Sequence, residues 1–275
     1  MEILAEGLNF PEGPAFDANA ELWCVEMKAG NLIHLAAGKV ERIPAGIKPN
    51  GMCFDHAGSI WVCDSGLNEV RCFDVLKQTW ITMADNYQGQ PLEEPNDLAF
   101  DADGNLIFSC PGNSRQVPTG RIYCLTPQKS LIKIADEMYF PNGVAFSSDG
   151  RTLFATESYR QSVWKGEWDI KAKSWNNAER WVKVGGAPGP DGMALDQNGN
   201  VFTAVYGSGQ IKIVAPNGEL VNAIDLPGMN PTNCAFDPTG KLGLVVTESE
   251  KGLLLSFPEF SAGSRLFLGN EALCQ

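Results

Sequence analysis

Pro141-Asn142-Gly143-Val144-Ala145-Phe146-Ser147, followed by the turn Ser148-Asp149-Gly150 and the apolar run Thr152-Leu153-Phe154-Ala155-Thr156, is one copy of a phrase that decides the fold. Toward the N-terminus it recurs as Pro95-Asn96-Asp97-Leu98-Ala99-Phe100-Asp101, Pro49-Asn50-Gly51-Met52-Cys53-Phe54-Asp55 and Pro11-Glu12-Gly13-Pro14-Ala15-Phe16-Asp17. Toward the C-terminus it recurs as Pro190-Asp191-Gly192-Met193-Ala194-Leu195-Asp196 and Pro231-Thr232-Asn233-Cys234-Ala235-Phe236-Asp237. Successive prolines lie 38, 46, 46, 49 and 41 residues apart. A period of about 40 to 50 residues made of short strands marks a propeller blade, because one such unit cannot bury its own faces and must stack on its neighbours. The reading is an all-β chain, a six-bladed β-propeller spanning 1–275 as a single domain, since the repeats leave no room for a linker.

The second position of the phrase reads Glu12, Asn50, Asn96, Asn142, Asp191 and Thr232. Rotation about a propeller axis turns one position per repeat into a ring. A ring facing the channel would gather carboxylate and amide oxygens, a donor set that suits a hard divalent cation such as calcium, magnesium or manganese. The competing reading is that polar residues after Pro satisfy backbone groups in tight turns.

Short strands account for nearly all of the chain, for example Ser59–Cys63, Arg121–Leu125 and Gln210–Val214, set off by Asp-Gly and Asn-Gly hairpin signals. The polar run Lys171 to Arg180 reads as a long hairpin tip rather than a helix. Closure of the ring requires Glu2-Ile3-Leu4-Ala5 to pair beside Leu253-Leu254-Leu255-Ser256-Phe257, which otherwise leaves an open edge.

Net charge is −12, with 21 Lys plus Arg and no basic run, so the footprint of a nucleic-acid binder is missing and anionic membranes would repel the chain. The N-terminal Met1-Glu2-Ile3-Leu4-Ala5-Glu6 is unlike a signal peptide, and no apolar run reaches membrane-spanning length. These features imply a cytoplasmic protein without nucleic-acid or membrane partners, expected as a monomer or small homo-oligomer. The eight cysteines lack zinc-ribbon spacing, and Cys53 and Cys234 fill small apolar slots of the phrase, which suits a reducing compartment, while one neighbouring pair bridged across strands stays open. With His34 in a strand and His56 in a turn away from the ring, a histidine-based triad or zinc site loses support.

The set Glu12-Gly13-Pro14, Pro95-Asn96-Asp97, Asn142-Gly143 and Pro190-Asp191-Gly192-Met193, in that order and one to a blade, resembles the family of senescence marker protein (regucalcin), gluconolactonase and luciferin-regenerating enzyme. The resemblance covers nearly the whole chain. It implies a six-bladed propeller with one divalent metal ion in the central channel, and hydrolysis of sugar lactones. It implies Glu12, Asn142 and Asp191 as metal ligands, with Asn96 beside the metal against substrate or water. Asn50 has no such role in the family and is held as a residue behind the ligands. The ion's identity stays open among calcium, zinc, manganese, magnesium and iron. Two carboxylates and an amide leave such an ion with vacant positions, the mark of a catalytic rather than a structural site. Asp191 would act as base, and the reaction would be opening of an aldonolactone to its hydroxy acid.

One departure bears on substrate. Lactonases of this kind often carry Arg two residues before the third-blade Asn, where this chain has Glu94, preceded by Glu93. An acid there disfavours anionic substrates. Arg115, in the loop 111–118 of the same blade, is a candidate replacement cation, so that Asn96, Glu94 and Arg115 form the candidate substrate-binding set. Tyr159, Arg160, Tyr206 and Met229 are candidates for the pocket wall. Two other functions fit the ring: a different metal-dependent hydrolase of esters or phosphotriesters, and a non-catalytic calcium-binding propeller.

Overall fold

Runs such as Leu106–Cys110 and Val201–Tyr206 are β-branched or aromatic, too short for helices and bounded by turn residues, and each pairs antiparallel with its neighbours in sequence. The computed structural model describes residues 1–260 and 263–269, and among them it contains six four-stranded sheets. Each sheet opens with one copy of the phrase, as Pro11–Phe16, Pro49–Phe54, Leu98–Phe100, Pro141–Phe146, Gly189–Leu195 and Pro231–Phe236. These first strands contact one another in a closed ring, so the six-bladed propeller read from the repeat is the observed architecture.

Closure follows the expected route. Glu2–Ala5 is the outer strand of the sixth blade, with Glu2 opposite Ser256 and Ile3 opposite Leu255. The run Lys171 to Arg180 straddles the turn of a hairpin whose second strand, Ser174–Lys183, continues beyond the run, so part of the presumed tip is regular sheet. A small hairpin, Asn86–Tyr87 with Gln90–Pro91, interrupts the second connection between blades.

The apolar core is divided into wedges between adjacent blades. Trp61 of the second blade meets Phe100 of the third edge-on at 5.4 Å, and Met193 and Val205 of the fifth pack with Phe154 and Val163 of the fourth. Burying each such large side chain contributes roughly 1.5–3 kcal/mol, so the stacking of blades carries much of the stability. On the face bearing the turns between first and second strands, residues 263–269 cross several blades. Ser264 N–H donates to Leu195 O at 2.8 Å, Phe267 stands edge-on to Phe146, and His56 N–H donates to Gly269 O at 3.0 Å.

The seventh residue of the phrase explains those turns. Asp17, Asp55, Asp101, Asp196 and Asp237 each accept backbone N–H groups from residues two and four or five ahead, as Asp55 Oδ1 does from Ala57 at 3.0 Å and Ser59 at 2.9 Å. Turn chemistry therefore belongs to this position and not to the second one.

Deleting residues 1–5 strips the outer edge of Leu253–Phe257 and removes Leu4 and Ala5 from the wedge between the sixth and first blades. The thermal midpoint is expected to fall by about 5–10 °C, with concentration-dependent self-association through the bared edge. An unchanged midpoint would show that this strand does not support closure.

Candidate metal centre and its cavity

Five of the six first strands carry a register shift immediately after the second position of the phrase or across it, between Glu12 and Ala15, Pro49 and Met52, Pro141 and Val144, Pro190 and Met193, and Pro231 and Asn233. A bulge of this kind re-aims a side chain. Glu12, Asn50, Asn96, Asn142 and Asp191 all line one cavity of about 300 Å³, and all five are buried. The sixth member of the ring is absent from that lining. Thr232 Oγ1 instead donates to Pro11 O at 2.7 Å and meets Thr247 Oγ1 at 2.8 Å, joining the last blade to the first.

The backbone that presents these side chains is clamped from blade to blade. Gly51 N–H donates to Asn96 O at 2.7 Å, Thr156 Oγ1 to Asp191 O at 2.8 Å, and Ser158 Oγ to Pro190 O at 2.7 Å. The third position of the phrase reads Gly13, Gly51, Asp97, Gly143, Gly192 and Asn233. The two exceptions occupy room left by their neighbours. A Cβ on Gly51 would lie 2.4 Å from Asp97 Oδ1, and one on Gly192 would lie 2.0 Å from the Asn233 side-chain carbon. Asp97 Oδ2 accepts the Val144 N–H at 3.1 Å, and the Asn233 side chain hydrogen-bonds toward both Glu12 and Asp97 while its Oδ1 accepts the Cys234 N–H. Reading the second position alone misses Asp97 and Asn233. Their signal was the break in the glycine pattern one residue later.

Three acids therefore converge at the floor. Burial pushes Glu12 well above the usual carboxylate range, and the negative charges of Asp191 and Asp97 push it further. Asp191 is likewise raised by burial and by Asp97, against a hydrogen bond from the Asn142 side chain. Asp97 is raised by burial from 3.8 to about 6. No base shares the burial of these acids, since the basic residues lining the cavity, Lys48 and Arg115, are both exposed. Asn50 Oδ1, also at this floor, is buried without a hydrogen-bond partner. Oxygen-only donors, clustered negative charge and an unpaired amide oxygen fit a hard divalent cation. A second acidic group, Asp17, Glu21 and His34, lies outside the cavity. Its atoms have partners already, Asp17 in a turn and His34 on Glu21 at 2.8 Å and stacked on Trp23.

The cavity wall divides by chemistry. Phe10, Met27, Phe140, Tyr159 and Tyr206 form its apolar part, with Phe10 stacked on Tyr206 at 6.5 Å and Phe140 tilted against Tyr159 at 5.7 Å. Tyr159 lies on a short 3-10 turn, Ser158–Arg160. Lys48, Ser65, Glu94 and Arg115 form the polar part, so both Glu94 and Arg115 line the candidate cavity. Tyr159 and Tyr206 also do, whereas Arg160 and Met229 are outside the lining.

The model of the SMP-30/gluconolactonase/LRE-like region matches residues 10–250. A gluconolactonase of Zymomonas mobilis is 28% identical over 88% of this chain and 77% of its own length. The diisopropyl-fluorophosphatase of Loligo vulgaris is 29% identical over 92% of this chain and 90% of its own. Among solved structures, a calcium-binding regucalcin of Agrobacterium tumefaciens superposes with a TM-score of 0.84 at 20% identity, covering 97% of this chain and 95% of that one.

Because all three acids have raised proton affinity in the folded chain, the folded state holds protons that the unfolded state releases as pH rises past about 4. Their contribution to stability is therefore greatest at acid pH and is lost as pH rises through about 6 and above, and a divalent cation held by the charged forms would offset that loss. Thermal midpoints measured in EDTA at pH 5 and pH 8 should show a smaller fall for Asp97→Asn than for the unaltered chain. The same variant should bind calcium or manganese about 10–100-fold more weakly by calorimetry. Identical pH slopes and affinities in the two proteins would remove Asp97 from this cluster.

Proposed function

Since the chain belongs to the SMP-30/gluconolactonase/LRE-like family, we propose that it is a metal-dependent hydrolase that opens a sugar lactone, an aldonolactone, to its hydroxy acid. The observation that carries this reading is the convergence of Glu12, Asn142 and Asp191, with the unpartnered Asn50 Oδ1, at the floor of a cavity sized for a small ring. These three would hold the ion, with Asn96 and Asn50 beside it. When bound, a divalent cation supplies Lewis-acid polarisation of an ester carbonyl.

The chain's own groups do the rest. Asp191 is held by its clamped backbone and by the Asn142 side chain, and accepts the proton of the attacking water. Water oxygen bonds to the carbonyl carbon, the ring C–O bond breaks, and the departing ring oxygen takes up the proton. Burial keeps Asp191 more basic than a solvated carboxylate, while an adjacent cation works in the opposite direction. Asn96 and Asn50 offer amide donors and acceptors to the ring oxygens, and Tyr159, Tyr206 and Phe10 cover its apolar face. The relatives include both a gluconolactonase and a fluorophosphatase, and the same oxygen ligands would serve a phosphotriester, so that activity is the second reading.

The reading takes residues 1–275 as one domain, a monomer or small homo-oligomer in the cytoplasm. Among the described residues six cysteines are free thiols, five of them buried, whereas Cys72 is disulfide-bonded, so the cysteines do not by themselves decide the compartment. The ion is one of calcium, zinc, manganese, magnesium and iron.

Metal-stripped protein should release acid from one or more aldonolactones only after one of these ions is restored, and Asp191→Asn should lower turnover by about a thousandfold. A panel that also contains diisopropyl fluorophosphate separates the two readings. Silence toward every lactone, with metal shown to bind, would overturn the lactonase assignment.

A further inference from the structure

The chain carries 33 acidic and 21 basic residues, so a wall drawn at random from its surface would be acidic. The mouth above the buried acids departs from this. Its charged side chains are Lys48 of the second blade and Glu94 and Arg115 of the third, giving a net positive wall. Of the 21 Lys and Arg residues, four are paired with carboxylates among the described residues, Arg42 with Glu26, Arg71 with Asp64, Lys77 with Asp74 and Lys133 with Asp136. Among the described residues, no carboxylate pairs with Lys48 or Arg115.

Arg115 is also held in place. Its guanidinium lies over the Phe140 ring at 4.6 Å, and Nη1 donates to Asn113 Oδ1 at 3.3 Å. That contact uses one of five N–H donors and fixes the plane of the fork, which is the preorganisation that carboxylate recognition requires. Two further cations sit over aromatic rings near the mouth, Lys28 over Phe10 at 4.8 Å and Arg160 over Tyr139 at 3.9 Å. Together they offset, for an approaching anion, the field of the acids below.

We propose that the lactone taken by this site bears a carboxylate, bound by Lys48 and Arg115, while its ring rests against Phe10 and Tyr206 of the first and fifth blades. The proposal rests on the lactonase reading above and narrows its substrate from neutral aldonolactones to anionic sugar lactones. A single carboxylate matches the wall, because two bases face one acid. Glu94 is held with φ at 51° and its N–H on Asn68 Oδ1 at 2.9 Å, and it penalises anions that do not seat on the two bases. The replacement of the family's usual Arg by Glu94 therefore shifts the cationic contact to other residues and does not abolish it.

The five-membered-ring lactones of D-gluconic and D-glucaric acid form a matched pair, differing at one carbon that is CH2OH in the first and COO⁻ in the second. Metal-loaded protein should show a KM for the glucaric lactone at least about tenfold below that for the gluconic one at low salt. That ratio should fall toward one in Lys48→Ala combined with Arg115→Ala, and toward one in high salt, while Glu94→Gln should widen it. Thermal midpoints confirm that the exposed replacements leave the fold intact. Equal KM values, or a preference that survives in the double variant, would overturn the proposal and leave the lactonase reading standing. Absence of turnover on both lactones would instead count against lactonase activity. Calorimetric binding of the same pair then decides the anion site: tighter glucaric binding lost in the double variant upholds it, and equal or no binding overturns it.

Discussion

Three carboxylates are forced together at one end of the propeller axis without a base buried among them, and the rest of the site depends on that arrangement. Glu12, Asp97 and Asp191 come from the first, third and fifth blades, and each is desolvated. Left charged, they repel one another, and their separate burial costs more than any single hydrogen bond returns. The chain holds them there because their backbones are fixed from outside the cluster by clamps between blades. The stacked wedges of Trp, Phe and aliphatic side chains supply the stability that such a floor lacks. A divalent cation would resolve the conflict between packing and charge, and the residues that face the cavity floor would meet it with oxygen ligands.

How much of this could be read from the sequence depended on whether a position repeated. The six-bladed ring, its closure by Glu2–Ala5 and the convergence of Glu12, Asn50, Asn96, Asn142 and Asp191 all follow from residues related by rotation, which a linear spacing displays. The turn-residue reading of polar side chains was physically sound and applied to a different column of the phrase, where Asp55 and its equivalents cap the turns. What escaped was the exceptions. Asp97 and Asn233 stand where other blades have glycine, and a side chain fits there only because Gly51 and Gly192 give up the space. Sequence shows the substitution but not which neighbour makes room for it. The crossing made by residues 263–269 carries no repeat at all, so nothing in the spacing announces it.

The mouth was legible only in part for a different reason. Glu94 stands at a fixed offset from the third-blade Asn96, but a wall is a sum over loops from several blades. Lys48 lies 46 residues before Glu94 and reaches the same cavity by rotation from the second blade. In the third blade alone Glu94 and the stacked Arg115 balance; adding Lys48 of the second blade makes the wall net positive.

A further regularity ties the mouth to the frame. The second strand of the first, second, fourth and sixth blades ends on a buried acid, Glu26, Asp64, Glu157 and Glu248. Each acid accepts the N–H of the loop that leads into its own blade, from Asn9, Ile47 and Lys48, Tyr139, and Asn230 respectively. These loops are thereby fixed relative to the floor, and Lys48 is anchored through its own backbone. In the third and fifth blades the equivalent positions are Cys110 and Val205, which cannot make this clamp. The residues that immediately follow them include Pro111, Arg115 and Tyr206, all in the cavity wall. Where the acid is missing, other contacts set the loop: Ser114 Oγ donates to Pro111 O at 2.6 Å and accepts the Phe140 N–H at 2.8 Å, placing the ring on which Arg115 lies. Buried acids thus clamp the loops leading into four blades, while the third and fifth blades, which lack such an acid, place Arg115 and Tyr206 in the cavity wall.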